Sequence, residues 1–96
     1  MQGRYGQAGR ELALCLTSYS ELLLLDEDYG GAFDHGLLSV TILRQRHTIF
    51  EGSQGTTAEL VRALLLLAGA AEGIGMADRA SSYRDQAEGL LTLDCL

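Results

Sequence analysis

The sequence predicts an all-α domain of four helices, paired as two antiparallel hairpins. Three observations carry that expectation. Apolar residues recur at three- and four-residue steps, the period of a helix. The chain contains no proline to break such helices. It also matches itself under a shift of 48 residues, large on large and small on small. Strands are not expected, because β-branched residues are few and no period of two is present.

The first helix runs from about Tyr5 to Leu25, with Leu12, Leu16, Tyr19 and Leu23 at helical steps. Leu14, Leu22, Leu24 and Leu25 widen its apolar girth beyond one face. It stops at Asp26, Glu27 and Asp28. Carboxylates are unfavourable at a helix C-terminus and favourable at the N-terminus of the next. Asp28 therefore reads as the N-cap of a second helix that starts at Tyr29. That helix carries Phe33, Leu37, Val40, Leu43, Ile49 and Phe50, with Arg44, Arg46 and His47 towards its C-terminal end, where they suit the dipole. Gly52, Ser53, Gln54 and Gly55 form the clearest loop. Thr56 then caps a third helix, and Glu59 three residues on completes a capping box. Leu60, Leu64, Leu67 and Ala71 follow, and Gly73 and Gly75 mark the stop. A fourth helix covers about Ala77 to Leu91, with Ala80, Tyr83, Ala87, Leu90 and Leu91. Hairpin one spans about 5–51 and hairpin two about 56–92, within a chain of 96 residues that fits one small domain or a fragment of a repeat array.

The internal match ties the two hairpins together. Glu11 and Leu12 fall on Glu59 and Leu60, and Leu16 on Leu64. Ser20 falls on Ala68, Ala32 on Ala80 and Ser39 on Ala87. Two helices joined by a short corner approach closely only where their crossing carries small side chains. Ser20 with Ala32, and Ala68 with Ala80, are the expected crossings. In this reading the leucine run ends a helix, the acidic triplet is the corner, and Gly30, Gly31 and Ala32 allow close contact as the chain returns.

The spacing of Leu16, Ser20, Ala32 and Ser39, and of Leu64, Ala68, Ala80 and Ala87, resembles the tetratricopeptide repeat. Tyr29 matches that family's aromatic and Gly75 its turn glycine. The chain departs from the pattern at Gly36 and Arg84, where a large apolar residue is usual, and at Ala77, where an aromatic is common. Its 48-residue offset also exceeds the family's usual spacing of about 34. A plain four-helix bundle is the alternative architecture.

No residue pattern marks a specific chemistry. A net charge of −6, with all seven basic residues arginine, argues against nucleic acid and against anionic membrane surfaces. Cys15 and Cys95 make no disulfide framework. Cys15 is expected as a buried thiol, Cys95 as an exposed one, and a reducing, cytoplasmic compartment is the simpler expectation. No apolar stretch approaches the roughly 20 residues of a membrane span. His35 and His47 are twelve residues apart, about 18 Å along one helix, too far to share a metal. The Asp26–Asp28 run lacks the spaced ligands of a calcium loop. The glycine-rich stretches at 6–10 and 69–75 follow no strand, so a phosphate cradle is not expected. No nucleophile–base pair stands out. The expectation is no cofactor, no metal and no enzymatic activity.

Two functions remain. The first is a protein-interaction module or scaffold that binds a protein, peptide or helix. The family resemblance implies that the first helix of each hairpin lines a concave groove, and places Thr17, Glu21, Arg62, Leu65 and Glu72 there. Family members that clamp a C-terminal carboxylate use lysine and asparagine; this chain has no lysine, and an apolar or basic helix is the better ligand. The second is a self-assembling helical domain, a homo-oligomer without a small-molecule ligand. The surplus leucines motivate it, as does the lack of an obvious polar capping helix.

Overall fold

The computed structural model describes the backbone of residues 2–49 and 54–95, and side chains over 9–45 and 57–92. It contains four α-helices: α1 (Gln2–Leu25), α2 (Tyr29–Ile49), α3 (Gln54–Gly73) and α4 (Ala77–Cys95). Adjacent helices pack antiparallel. α1 lies on α2, α2 on α3 and α3 on α4, with a smaller contact between α1 and α3. Among the described residues α1 and α4 do not meet, so the helices stack as two successive hairpins and do not close into a ring. The body measures 36 × 30 × 16 Å.

The expected periodicity is present, and so are the two corners. Each corner is a Schellman turn, in which the last carbonyls of one helix are capped by the amides that follow it. At the first, Asp28 N–H donates to the Leu23 carbonyl (2.8 Å) and Glu27 N–H to Leu24 (3.0 Å). At the second, Met76 N–H donates to Ala71 (2.8 Å) and Gly75 N–H to Glu72 (3.0 Å). All four donors and acceptors are related by the same 48-residue shift that the sequence shows. The residue in the left-handed region is Glu27 at the first corner (φ 62°) and Gly75 at the second (φ 86°). Asp28 caps α2 as expected: its Oδ1 accepts from Gly31 N–H at 3.2 Å.

The small residues lie where the hairpin argument puts them. Ser20, Ala32, Ser39, Ala68, Ala80 and Ala87 are all fully buried. Ser20 Oγ donates to the Ala32 carbonyl at 2.8 Å, which fixes the first crossing. Gly30 plays no part in it, since a Cβ added there would meet nothing within 4 Å. Gly31 does: a Cβ there would run into the Asp28 carboxylate and Leu23.

Gly36 departs from the family pattern for a reason that lies in the stack. An added Cβ would sit 3.2 Å from Ser20 Oγ and 3.5 Å from Leu67 Cδ1. α2 is thus squeezed between α1 and α3 at this point, and Gly36 is buried there while the expected Leu37 is exposed. Gly73 serves a similar end, because a Cβ on it would fall inside the ring of Tyr29. Tyr29, from the first corner, rests on bare backbone at the second.

Four expectations need correction. α3 begins at Gln54, so Gln54 and Gly55 are helical and Thr56 stands inside the helix instead of capping it. Glu59 reaches across to Arg10 of α1, a 2.5 Å ion pair. Cys15 is exposed, not buried. The apolar stripe expected to bury α1 also fails in part. Leu12 and Tyr19 are about half exposed, at 53% and 49%, and the buried face is instead Ala13, Thr17 and Ser20. In α3 the stripe holds, with Leu60, Leu64, Leu67 and Ala71 all buried. The difference is that α3 packs between α2 and α4, whereas α1 packs mainly on α2 alone. Phe50, the Gly52–Ser53 loop and the side chains of Arg46, His47, Ile49, Thr56 and Cys95 lie outside the described residues.

Candidate functional site

Four of the five groove residues lie on the open surface shared by α1 and α3. Glu21 belongs to α1, and Arg62, Leu65 and Glu72 to α3. Arg62 donates to Glu21 Oε1 at 2.9 Å, a bridge between the two helices with both side chains about half exposed. Leu25 lies one turn beyond Glu21, on the same face, and is 78% exposed. Leu65, 49% exposed, lies three residues beyond Arg62. Gly69 follows one turn later and leaves a low point, with only Leu24 Cδ1 within 4 Å of where a Cβ would be. Glu72 pairs with Arg84 of α4 at 2.5 Å. Arg84 stands where the repeat pattern calls for a large apolar residue, and its guanidinium turns to Glu72 of α3.

Thr17 does not belong to this surface. It is 2% exposed, its hydroxyl donates to the Ala13 carbonyl at 2.9 Å and it lies 2.6 Å from Ser39 Oγ. Ser39 Oγ in turn donates to the same Ala13 carbonyl at 2.9 Å. Thr17 is the repeat equivalent of Leu65. One is buried and the other exposed, although the flanking pairs Ala13 with Val61 and Ser20 with Ala68 are buried alike.

On this face Glu21 and Glu72 each have an arginine partner, and Leu25 and Leu65 stand exposed beside the two ion pairs.

A second surface went unread in the sequence. Leu12, Cys15, Tyr19 and Leu22 follow steps of three, four and three along α1, and all are exposed. Tyr19 is held in place by His35, whose ring meets it edge-on with centroids 4.8 Å apart. His35 Nδ1–H donates to the Gly31 carbonyl at 2.8 Å, which fixes the imidazole in turn. Leu38 of α2 adds to the same side and is 50% exposed. The signal was present as the excess girth of α1, but only the burial pattern separates this face from the core.

Among the described residues, no three His, Cys, Asp or Glu side chains gather into a group that could hold a metal. No helix is long and apolar enough to cross a membrane, again among the described residues. No protein family, curated protein or solved structure matches the chain.

Proposed function

We propose that this chain is a protein-interaction module, built as two tetratricopeptide-like hairpins, that takes an apolar peptide or amphipathic helix along the α1–α3 face. The observation that carries the reading is the Glu21–Arg62 bridge on an open surface, flanked by exposed Leu25 and Leu65. An ion pair of this kind adds little stability, so its place between two apolar anchors favours recognition over folding. Apolar anchors supply binding energy and the flanking charges set register and partner choice. The repeated corners support the two-hairpin reading, since each hydrogen bond of the first recurs in the second. In this proposal the protein has no catalytic centre and works in the cytoplasm as a scaffold.

The test compares wild type with Leu65→Glu and with the double reversal Glu21→Arg/Arg62→Glu. All three positions are exposed, so melting should move by no more than about 0.5 kcal/mol. Proteins retained by each immobilised chain are then identified by mass spectrometry. A partner held by wild type and lost with Leu65→Glu supports the groove. The double reversal regenerates the pair in the opposite sense, so loss of capture there means that the ligand reads the charges. Identical retention by wild type and Leu65→Glu removes this face from the function.

A further inference from the structure

The internal repeat shows what the exposed face of α1 is built to do. Under the 48-residue shift, Leu12, Cys15, Tyr19 and Leu22 correspond to Leu60, Ala63, Leu67 and Ala70 of α3. Those four are the buried side of α3: their exposures are 3%, 1%, 0% and 0%. The backbone of Leu67 comes within 3.8 Å of where a Cβ on Gly36 of α2 would stand. One surface of the repeat is therefore seen twice, covered by α2 in the second hairpin and uncovered in the first.

The other end of the stack does not offer the matching cover. The side of α2 that faces α3 carries Phe33, Gly36, Val40 and Leu43, all buried. The shift places Ser81, Arg84, Glu88 and Leu91 of α4 at those positions. Asp78, Ser82, Asp85 and Thr92 are likewise exposed, so α4 turns a polar side outward. This corrects the expectation that the array lacks a polar cap: it has one, at the α4 end alone. Copies cannot add head to tail, since an apolar end would meet a polar one. An apolar end can be buried against its own copy.

We propose that two copies of this chain associate about a two-fold axis through their α1 faces, with Leu12, Tyr19, Leu22 and Leu38 of each at the centre. This inference does not rest on the groove reading: its centre, at Leu12 and Tyr19, lies on a different face of α1, which meets the first only where Leu22 stands one turn before Leu25. Its size suits a pair. Residues 9–25 of α1 give about 25 Å of length, and α1 with α2 about 20 Å of width. That is roughly 500 Å² a side, about 1,000 Å² in all, the lower end of specific interfaces and the size of a reversible pair. Tyr19, held by His35 before any partner arrives, is a ready-made anchor. An antiparallel arrangement of the two α1 helices keeps the acidic Asp26–Asp28 corners at opposite ends, many screening lengths apart. A two-fold interface is self-complementary and closes at two copies.

The test is sedimentation of the full chain over micromolar to millimolar concentration. Wild type should approach twice its 10.3 kDa mass. Tyr19→Glu and Leu22→Glu should each weaken dimerisation by more than about 30-fold, the usual effect of removing a central anchor. Circular dichroism should show helicity retained, since both positions are open in the single chain. Leu65→Glu, on the other face, should dimerise as wild type does. Salt should change dimerisation little, whereas a parallel pair would tighten steeply as its acidic corners were screened. A wild type monomeric throughout overturns the proposal. So does a dimer indifferent to Tyr19→Glu, or one lost with Leu65→Glu. Steep tightening with salt overturns the antiparallel arrangement.

Discussion

Hairpin one and hairpin two turn the same corner and cross at the same positions, yet they fill the crossing differently. Hairpin one uses Thr17, Ser20 and Ser39, whose hydroxyls donate to the Ala13 and Ala32 carbonyls, with the Thr17 and Ser39 oxygens in contact. Hairpin two uses Ala68 and Ala87 at the positions of Ser20 and Ser39, with no hydroxyl to satisfy. The comparison teaches that side-chain size sets the crossing. Polarity is tolerated provided every buried hydroxyl finds a partner, because an unsatisfied one costs about 1–3 kcal/mol.

The largest effect should come from breaking the feature that both hairpins share. Ala80→Leu forces extra methylenes into a fully buried site, and should destabilise by about 1–3 kcal/mol. Ala32→Leu should do the same in hairpin one. Chemical denaturation of both variants checks this, and an unchanged midpoint in either would show that its crossing has room to spare.

A smaller effect should follow from making hairpin one like hairpin two. Ser39→Ala removes the Ser39 hydrogen bond to the Ala13 carbonyl and leaves the Thr17 hydroxyl on that carbonyl. The expected loss is about 0.5–1.5 kcal/mol, or a midpoint lower by several degrees on thermal melting. No loss at all would mean that the hydroxyl network is dispensable and that size alone matters.

The smallest effect should come from the corners. Glu27 holds a left-handed conformation that disfavours any L side chain by about 1–2 kcal/mol, and Gly75 holds its equivalent without that strain. Glu27→Gly should therefore stabilise, by up to about 1 kcal/mol once the greater freedom of glycine in the unfolded chain is subtracted. Gly75→Ala should destabilise by a similar amount. A calorimetric scan that moves both variants in the same direction would contradict the equivalence of the two corners.

Much of this architecture was legible in the sequence. Helix count, both corners, the Asp28 cap and all six small crossing residues follow from period, charge and the internal match. The rest was hidden for identifiable reasons. Leu12 and Leu60 look alike in sequence, but their burial depends on whether another layer lies beyond them. Thr17 stands at the repeat equivalent of exposed Leu65, yet its small side chain packs against Ser39, a contact between two helices that spacing along one helix does not reveal. Gln54 and Gly55 have loop-forming character and nevertheless sit in the first turn of α3, where glycine is tolerated. The exposure of Glu21, Arg62, Leu65 and Glu72 was readable from their places off the buried stripes. The pairing of Glu21 with Arg62 and of Glu72 with Arg84 was not, because it depends on distances between separate helices.

The seat of Tyr29 on Gly73 gives the chain a fixed order. The repeat equivalent of Gly73 is Leu25, so a copy of hairpin one in the place of hairpin two would bring a leucine where the ring must lie. The reverse exchange would lose the ring, since Met76 and Ala77 stand about the position of Tyr29 in the second half. The halves descend the same geometric pattern but have become first and second. A duplication that began with interchangeable units would here have lost its symmetry at one glycine, and a chain rebuilt with its halves exchanged would not regain the same stack.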